Sequence, residues 1–454
     1  MPRNQHTQYY TVILNQCLRE LFQEKPEVVA LQFIARQRIE YNKTGSLVKV
    51  FTQCATSSSI EKSGERLVLE NRQQFYIFVK GDGDFTRFAS DALRNAPRSH
   101  GKRKISCTEI TQIVFIKTHK TASTTTNSII QRFGYNRSLA FALPKKGHHF
   151  DEQQPFSHGK LQYQRPPSNQ SAHFNIIASH MTYNRPELDK VIPNATYITI
   201  IRSPVQRFES AFSFFEYASK FDLNEGENAL KEFMKEPDKY VTKLRGRKSF
   251  LLRNGMSVIL GFDHRFHDND SAINEMIDRL DRELDLVLIS DYFDESLVLL
   301  KNALCWKLDD LLYISKFIRT DIKRYPISKS VAKMILKWNK ADVKLYEHFN
   351  KTFWKKVHSY GADFYKDVRE YRTRLQEFQE DCVEMNTTEP KSGRVYVPLM
   401  KANASAECRL ALIDNAHFHD MLKQEAKENY NLIKHHTLLM QTKNTSHSSF
   451  PHKG

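Results

Sequence analysis

The 454-residue sequence has no G-x-x-x-x-G-K-[ST] loop, which excludes the glycine cradle of ATPases and GTPases and makes an NTP-dependent kinase remote. Its six cysteines (Cys17, Cys54, Cys107, Cys305, Cys382 and Cys408) are scattered without metal-ligand spacing, so neither zinc nor any other metal is expected. There is no C-x₂-C…H-x₃-H finger, no RNP-like motif and no dense Lys/Arg tract, which argues against nucleic acid. A membrane-spanning helix needs about 20 mostly apolar residues. The early apolar runs at 10–22 and 28–34 are short and broken by Gln, Arg and Glu, and no signal-peptide pattern is visible. No internal repeat is found.

Positive charge is abundant. The formal net charge of +16 suits an anionic partner such as a nucleotide, an acidic glycan or an anionic lipid surface, and also serves general solubility. Apolar residues make up 40% and aromatics 11%, enough for one large α/β domain with additions, or two domains. N-x-[ST] sequons occur at Asn42, Asn136, Asn169, Asn194, Asn269, Asn350, Asn386, Asn403 and Asn444. Roughly three would arise by chance, so the excess favours a glycoprotein of the secretory pathway. In an oxidising lumen Cys382 and Cys408 could bridge, although the pairing as a whole is not readable from spacing.

The most informative stretch is 112–133. An apolar β-branched run, Ile113-Val114-Phe115-Ile116, feeds a turn, Lys117-Thr118-His119-Lys120-Thr121-Ala122-Ser123-Thr124, that opens a helical pattern. A helix N-terminus presents unpaired N–H groups and partial positive charge, a natural seat for phosphate or sulfate. Lys120 adds a full charge there, and Ser123 and Thr124 add hydroxyl donors. A second run, 196–212, places Arg202 just past an apolar strand and Ser210 eight residues later on the next helix.

These two segments resemble the 5′-phosphosulfate loop and the 3′-phosphate signature of the galactose-3-O-sulfotransferase family, which includes the galactosylceramide (cerebroside) sulfotransferases. Further stretches at 178–184, 251–256, 260–263, 287–296, 304–310 and 345–354 also resemble it, and the likeness covers roughly residues 110 to 415. The resemblance implies a P-loop-type sulfotransferase fold and PAPS (3′-phosphoadenosine 5′-phosphosulfate) as co-substrate, with no metal. It implies transfer of sulfate to O3 of a terminal β-galactose on a glycolipid or glycoprotein. It also implies a signal-anchored Golgi membrane protein, whereas no anchor is visible in this chain. The alternative is a non-catalytic sulfotransferase-like protein that binds glycans or acts as a scaffold.

By position, Lys120 is expected to stabilise the bridging phosphosulfate oxygen. Thr121, Ala122, Ser123 and Thr124 are expected to line the 5′-phosphate, with Ala122 where many sulfotransferase loops carry Gly. Arg202 and Ser210 are expected to grip the 3′-phosphate, Arg through a bidentate fork. A histidine suits abstraction of the acceptor proton near neutral pH. His180, at the end of the second apolar run, is favoured as the base, with His119 assisting at the sulfate. His148, His149 and His158 are read as solvated, Arg207 as a possible helix-surface residue, and Phe208, Phe212, Phe214, Phe215 and Tyr217 as core.

Along the chain, residues 1–105 match nothing recognised and hold a possible helix at 10–22, a strand-like run at 75–79 and a basic linker at 96–104. Residues 106–385 form the expected sulfotransferase domain, with buried strands at 113–116, 174–179, 197–201 and 286–290. Continuous rather than alternating apolar runs predict a parallel sheet flanked by helices. Residues 145–172 read as an exposed polar loop for substrate recognition, and 331–382 as long amphipathic helices. Residues 386–454 read as an irregular bridge (390–398), a last helix (406–439) and a disordered tail.

Overall fold

A computed structural model describes residues 107–447, apart from 168–172, 224–227, 245–248, 317, 320–323 and 389–394, together with four strands between residues 31 and 77. The chain divides into two units, Met1–Ile105 and Ser106–Gly454. In the first, Leu31–Gln32 pairs antiparallel with Tyr76–Ile77, and Ile34–Tyr41 pairs antiparallel with Leu47–Ala55. The strand-like run at 75–79 is thus represented by two residues. The expected helix at 10–22 and the basic run at 96–104 lie outside the described residues.

The second unit is built on a four-stranded sheet of β1 (Ile113–Ile116), β2 (Ile176–Ile177), β3 (Thr196–Ile201) and β4 (Leu286–Ile289). The order is β2-β1-β3-β4, and every pair is parallel. The β-branched and leucine side chains of β1 and β4 are buried throughout, as a sheet covered on both faces requires. The fold is the expected α/β sheet flanked by helices, although β2 is shorter than the apolar run at 174–179. Helix α1 (Ser123–Tyr135) follows β1, and α2 (Pro204–Phe214) follows β3, each beginning at the carboxyl edge of the sheet.

Helices α3 (Asp270–Glu283) and α4 (Phe293–Leu304) flank β4. Three helices then run in succession: α5 (Lys329–Trp338), α6 (Lys340–Tyr360) and α7 (Phe364–Cys382). In α7 the buried residues Phe364, Val368, Tyr371, Leu375, Phe378 and Cys382 recur every three or four positions, the apolar stripe of a helix laid on a core.

The C-terminal part differs from expectation. Strands β5 (Ile318–Arg319), β6 (Val383–Thr388) and β7 (Val395–Met400) form an antiparallel sheet, so the second half of the expected bridge is strand. Among the described residues β7, the middle strand, pairs with β5 at Val395 and Tyr396, and Pro398 lies beyond that pairing, opposite Asn386 of β6. The expected last helix is two, α8 (Ala406–Leu412) and α9 (Asn415–His447). Asp414 divides them, its carboxylate accepting from the backbone N–H groups of Ala416 (2.9 Å) and His417 (3.0 Å) as an N-cap does. Helix α9 continues to His447, into the stretch expected to be disordered. Disulfides join Cys107 to Cys305 and Cys382 to Cys408.

Candidate active site

The loop between β1 and α1 is tied to the sheet by its own hydroxyls. Thr118 donates to the Ile200 carbonyl of β3, and Thr199 of β3 donates to the Ile116 carbonyl (2.8 Å). Ser123 folds back onto the Thr118 carbonyl (2.5 Å), and Thr121, fully buried, lies 2.8 Å from the Thr118 hydroxyl. Ser123 and Thr121 therefore brace the loop in this structure, while Ala122 and Thr124 are exposed at the start of α1. Lys120 and Ala122 both have φ of 64°, a left-handed conformation that costs a non-glycine residue about 1–2 kcal/mol. That conformation explains why a glycine suits position 122.

Cations converge on this loop. Arg202, at the end of β3, donates to the Lys120 carbonyl (3.3 Å) and so joins the two sequence motifs. The Lys120 amine lies 3.6 Å from the centre of the Phe214 ring. Burial pushes the Lys120 pKa down to about 8, helped by Arg319 and Arg202 and opposed by Glu209. Arg319 of β5 forms a bidentate pair with Glu209 of α2 (2.6 and 2.7 Å). Lysine and arginine held together in a partly desolvated place want an anion between them. Ser210 is buried on α2, one residue past Glu209.

Arg207 is not on the helix surface. It is 1% exposed, donating from Nε to the His119 carbonyl (3.4 Å) and from Nη1 to the Leu251 carbonyl (2.5 Å). A Cβ on Gly255 would fall 2.1 Å from its Nη2. Phe208, Phe212 and Tyr217 are core as expected, but Phe214 is 56% exposed beneath Lys120, and Phe215 is edge-on to His119 at 6.1 Å.

The two expected histidines do meet. The His119 and His180 rings stack at 4.1 Å with planes 8° apart. Burial, and then the charges of His119, Lys117 and His149, push the His180 pKa well below the usual imidazole range. Burial likewise lowers Lys117, to about 8, with Glu152 acting the other way.

Residues 145–167, the described part of the expected loop, are exposed only in part. Phe150, Phe156 and Leu161 enter the core, and the segment lies along the continuation of β2 through bridges His149↔His180 and Pro155↔Thr182. This brings in Glu152, which the sequence reading missed, and His149, which it took as solvated. Glu152 sets its Oε1 2.6 Å from His119 Nε2 and 3.4 Å from His180 Nδ1. His149, although exposed, stands edge-on to His180 at 4.9 Å. Nor are the other two histidines merely solvated, since His148 pairs with Asp420 of α9 (2.9 Å) and His158 with Glu187 (2.6 Å). The available signal was Phe150 and Phe156, whose size and apolarity in a polar stretch mark anchoring points.

Ligand atoms of His119, Glu152 and His180 all lie within 4.8 Å of one another. They fit a metal poorly. An imidazole binds a metal in its ring plane, and one ion cannot sit in two nearly parallel planes stacked face to face. His180 Nδ1 also already faces the Lys117 carbonyl at 3.0 Å.

An anion loop at a helix start, arginine at the neighbouring strand end and imidazoles beside them define an α/β protein built for transfer of an anionic group. The galactose-3-O-sulfotransferase family matches residues 63–401, and the chain belongs to that family. The match begins within the first 105 residues, earlier than the resemblance read from the sequence. The chain is 37% identical to galactosylceramide sulfotransferase of Bos taurus over 292 residues, 64% of this chain and 68% of the relative. It is 36% identical to that of Homo sapiens over 282 residues, 61% of this chain and 65% of the relative. With galactose-3-O-sulfotransferase 2 of Mus musculus it shares 32% over 294 residues, 64% of this chain and 73% of the relative. The chain thus spans about two-thirds of the length of such relatives. It is a sulfotransferase.

Proposed function

We propose that the protein moves the sulfuryl group of PAPS to the 3-hydroxyl of a terminal β-linked galactose on a glycolipid or glycoprotein. The observation that carries this reading is the convergence of Lys120 and Arg202 at the carboxyl edge of the sheet, beside a stacked pair of imidazoles. In-line sulfuryl transfer resembles phosphoryl transfer in needing position and stabilised charge more than covalent help. Lys120 and the N–H groups at the start of α1, from Thr121 to Thr124, hold the 5′-phosphate and the bridging oxygen. Arg202 and Ser210 hold the 3′-phosphate.

His119 and His180 stand where the acceptor hydroxyl loses its proton. Between them we assign proton acceptance to His119, because a histidine kept neutral by burial, as His180 is, is the weaker acceptor. Relatives named for galactosylceramide support a glycolipid acceptor, and those named only for galactose leave a glycoprotein acceptor equally in scope. A Golgi lumen location accords with exposed sequon residues Asn136, Asn194, Asn269 and Asn403 and with two disulfides. No helix among the described residues is long and apolar enough to cross a membrane.

The test is transfer of labelled sulfate from PAPS to galactosylceramide, lactose and an N-acetyllactosamine glycan. Wild type should label at least one β-galactoside, and Lys120→Ala and Arg202→Ala should each lose about 100-fold or more of kcat/KM. Absence of transfer to every β-galactoside by folded protein that binds adenosine 3′,5′-bisphosphate would refute the acceptor. Absence of bisphosphate binding would refute the donor.

A further inference from the structure

We propose that Glu152 is a positioning residue for the reaction, its carboxylate fixing the tautomer of His119 so that the ring turns a lone pair away from it. The inference rests on the sulfuryl-transfer reading above and adds a residue from outside either phosphate motif.

The backbone at Glu152 is pinned, since its carbonyl accepts from the Thr182 hydroxyl (2.7 Å) and the flanking residues bridge to the segment that carries His180. All three side chains are shielded: His119 is 15% exposed, Glu152 and His180 10% each. The Lys117 carbonyl, 3.0 Å from His180 Nδ1, can only accept, so Nδ1 carries the proton and Nε2 carries the lone pair. A carboxylate 2.6 Å from His119 Nε2 places a proton there and leaves the lone pair on Nδ1. Oε1 therefore receives the His119 Nε2 proton, and lies 3.4 Å from His180 Nδ1, whose own proton goes to the Lys117 carbonyl.

The charge surroundings explain the need for a carboxylate. Lys120 follows His119 directly in the anion loop, and the Glu152 carboxylate lies against the His119 ring. As the acceptor oxygen bonds to sulfur, its proton passes to His119 Nδ1. The sulfur's bond to the bridging oxygen then breaks, and the bisphosphate departs with that electron pair. The imidazolium so formed lies 2.6 Å from a carboxylate rather than bare against a second imidazole ring. A carboxylate that orients a histidine and stabilises its protonated form performs this task in other group-transfer enzymes.

The experiment compares wild type, Glu152→Gln and Glu152→Asp for kcat, KM, the pH dependence of kcat, and bisphosphate binding by thermal shift. Glu152→Gln should lower kcat by about 100-fold or more while KM and the bisphosphate-induced shift stay within about threefold. Its acidic limb should move to lower pH, because loss of the carboxylate makes the base easier to deprotonate. Glu152→Asp should recover part of kcat and return the limb towards the wild-type position. A Glu152→Gln enzyme with kcat within threefold of wild type would overturn the proposal, as would a loss that follows melting temperature or bisphosphate binding.

A readout independent of turnover is the ¹⁵N spectrum of the His119 ring. It should report Nε2–H in wild type and a mixture of tautomers in Glu152→Gln. An unchanged tautomer would also overturn the proposal. Wild-type protein that transfers no sulfate yet shows this tautomer change would instead refute the reaction reading and leave the positioning in place.

Discussion

Lys120 combines a left-handed backbone, a ring beneath its amine and two arginines at its side. With its pKa lowered to about 8 from 10.5, the native chain gives up a proton between those values that the unfolded chain keeps. Stability from this group therefore rises with pH through that window and is least below it. An anion in the site reverses the shift, so binding takes up a proton. Calorimetry of adenosine 3′,5′-bisphosphate at pH 8, in buffers of different ionisation heat, should show uptake on the order of half a proton per site. Lys120→Met should remove most of that uptake. Uptake unchanged in the variant would assign it to Lys117, which burial also brings to about 8. Lys120 and Arg202 were legible because each sits at a fixed step from an apolar strand. Glu152 was not, because its partners lie 33 and 28 residues away in sequence and meet it only across the continuation of β2.

Helix α2 turns Arg207 inward, where its guanidinium spans the His119 carbonyl of the anion loop and the Leu251 carbonyl. Facing this group is the short helix Gly255–Ile259, whose first N–H groups, at Met256 (3.2 Å) and Ser257 (2.8 Å), are taken by Asp342 of α6. Gly255 has no room for a side chain because Arg207 fills it. Gly255→Ala should cost about 1–3 kcal/mol, seen as a lower melting temperature, and should weaken bisphosphate binding by disturbing the loop. A variant with wild-type stability and binding would show that Arg207 can move aside and does not hold the loop. Elements with strong periodicity, such as α6 and α7, were readable as helices from the sequence. Strand β7 was not, since a proline in a short run argues for loop until a stretch paired on one side provides a place for it.

At the scale of the molecule, two disulfides cross-link the second unit over very different spans. Cys107 and Cys305 are separated by 198 residues, Cys382 and Cys408 by 26. On the chain-entropy account the longer loop contributes about 5 kcal/mol and the shorter about 3.5 kcal/mol. Cys305→Ser should therefore lower stability more than Cys408→Ser in denaturant unfolding. The reverse order would mean that the short bridge, between the end of α7 and α8, constrains the native state beyond chain entropy.

The sequence by itself determined the sheet and the placement of Lys120 and Arg202 at its carboxyl edge, because buried parallel strands and helix-start loops are specified by local composition and spacing. It also carried the family resemblance. Only the tertiary structure decided how the site is completed. The stacking of His119 on His180, the carboxylate of Glu152 at their edge, the burial of Arg207 and the cap at Asp414 all depend on side chains brought together from distant segments or on local turns. Local patterns encode elements strongly, whereas the meeting of their side chains is set by the packing of the whole unit.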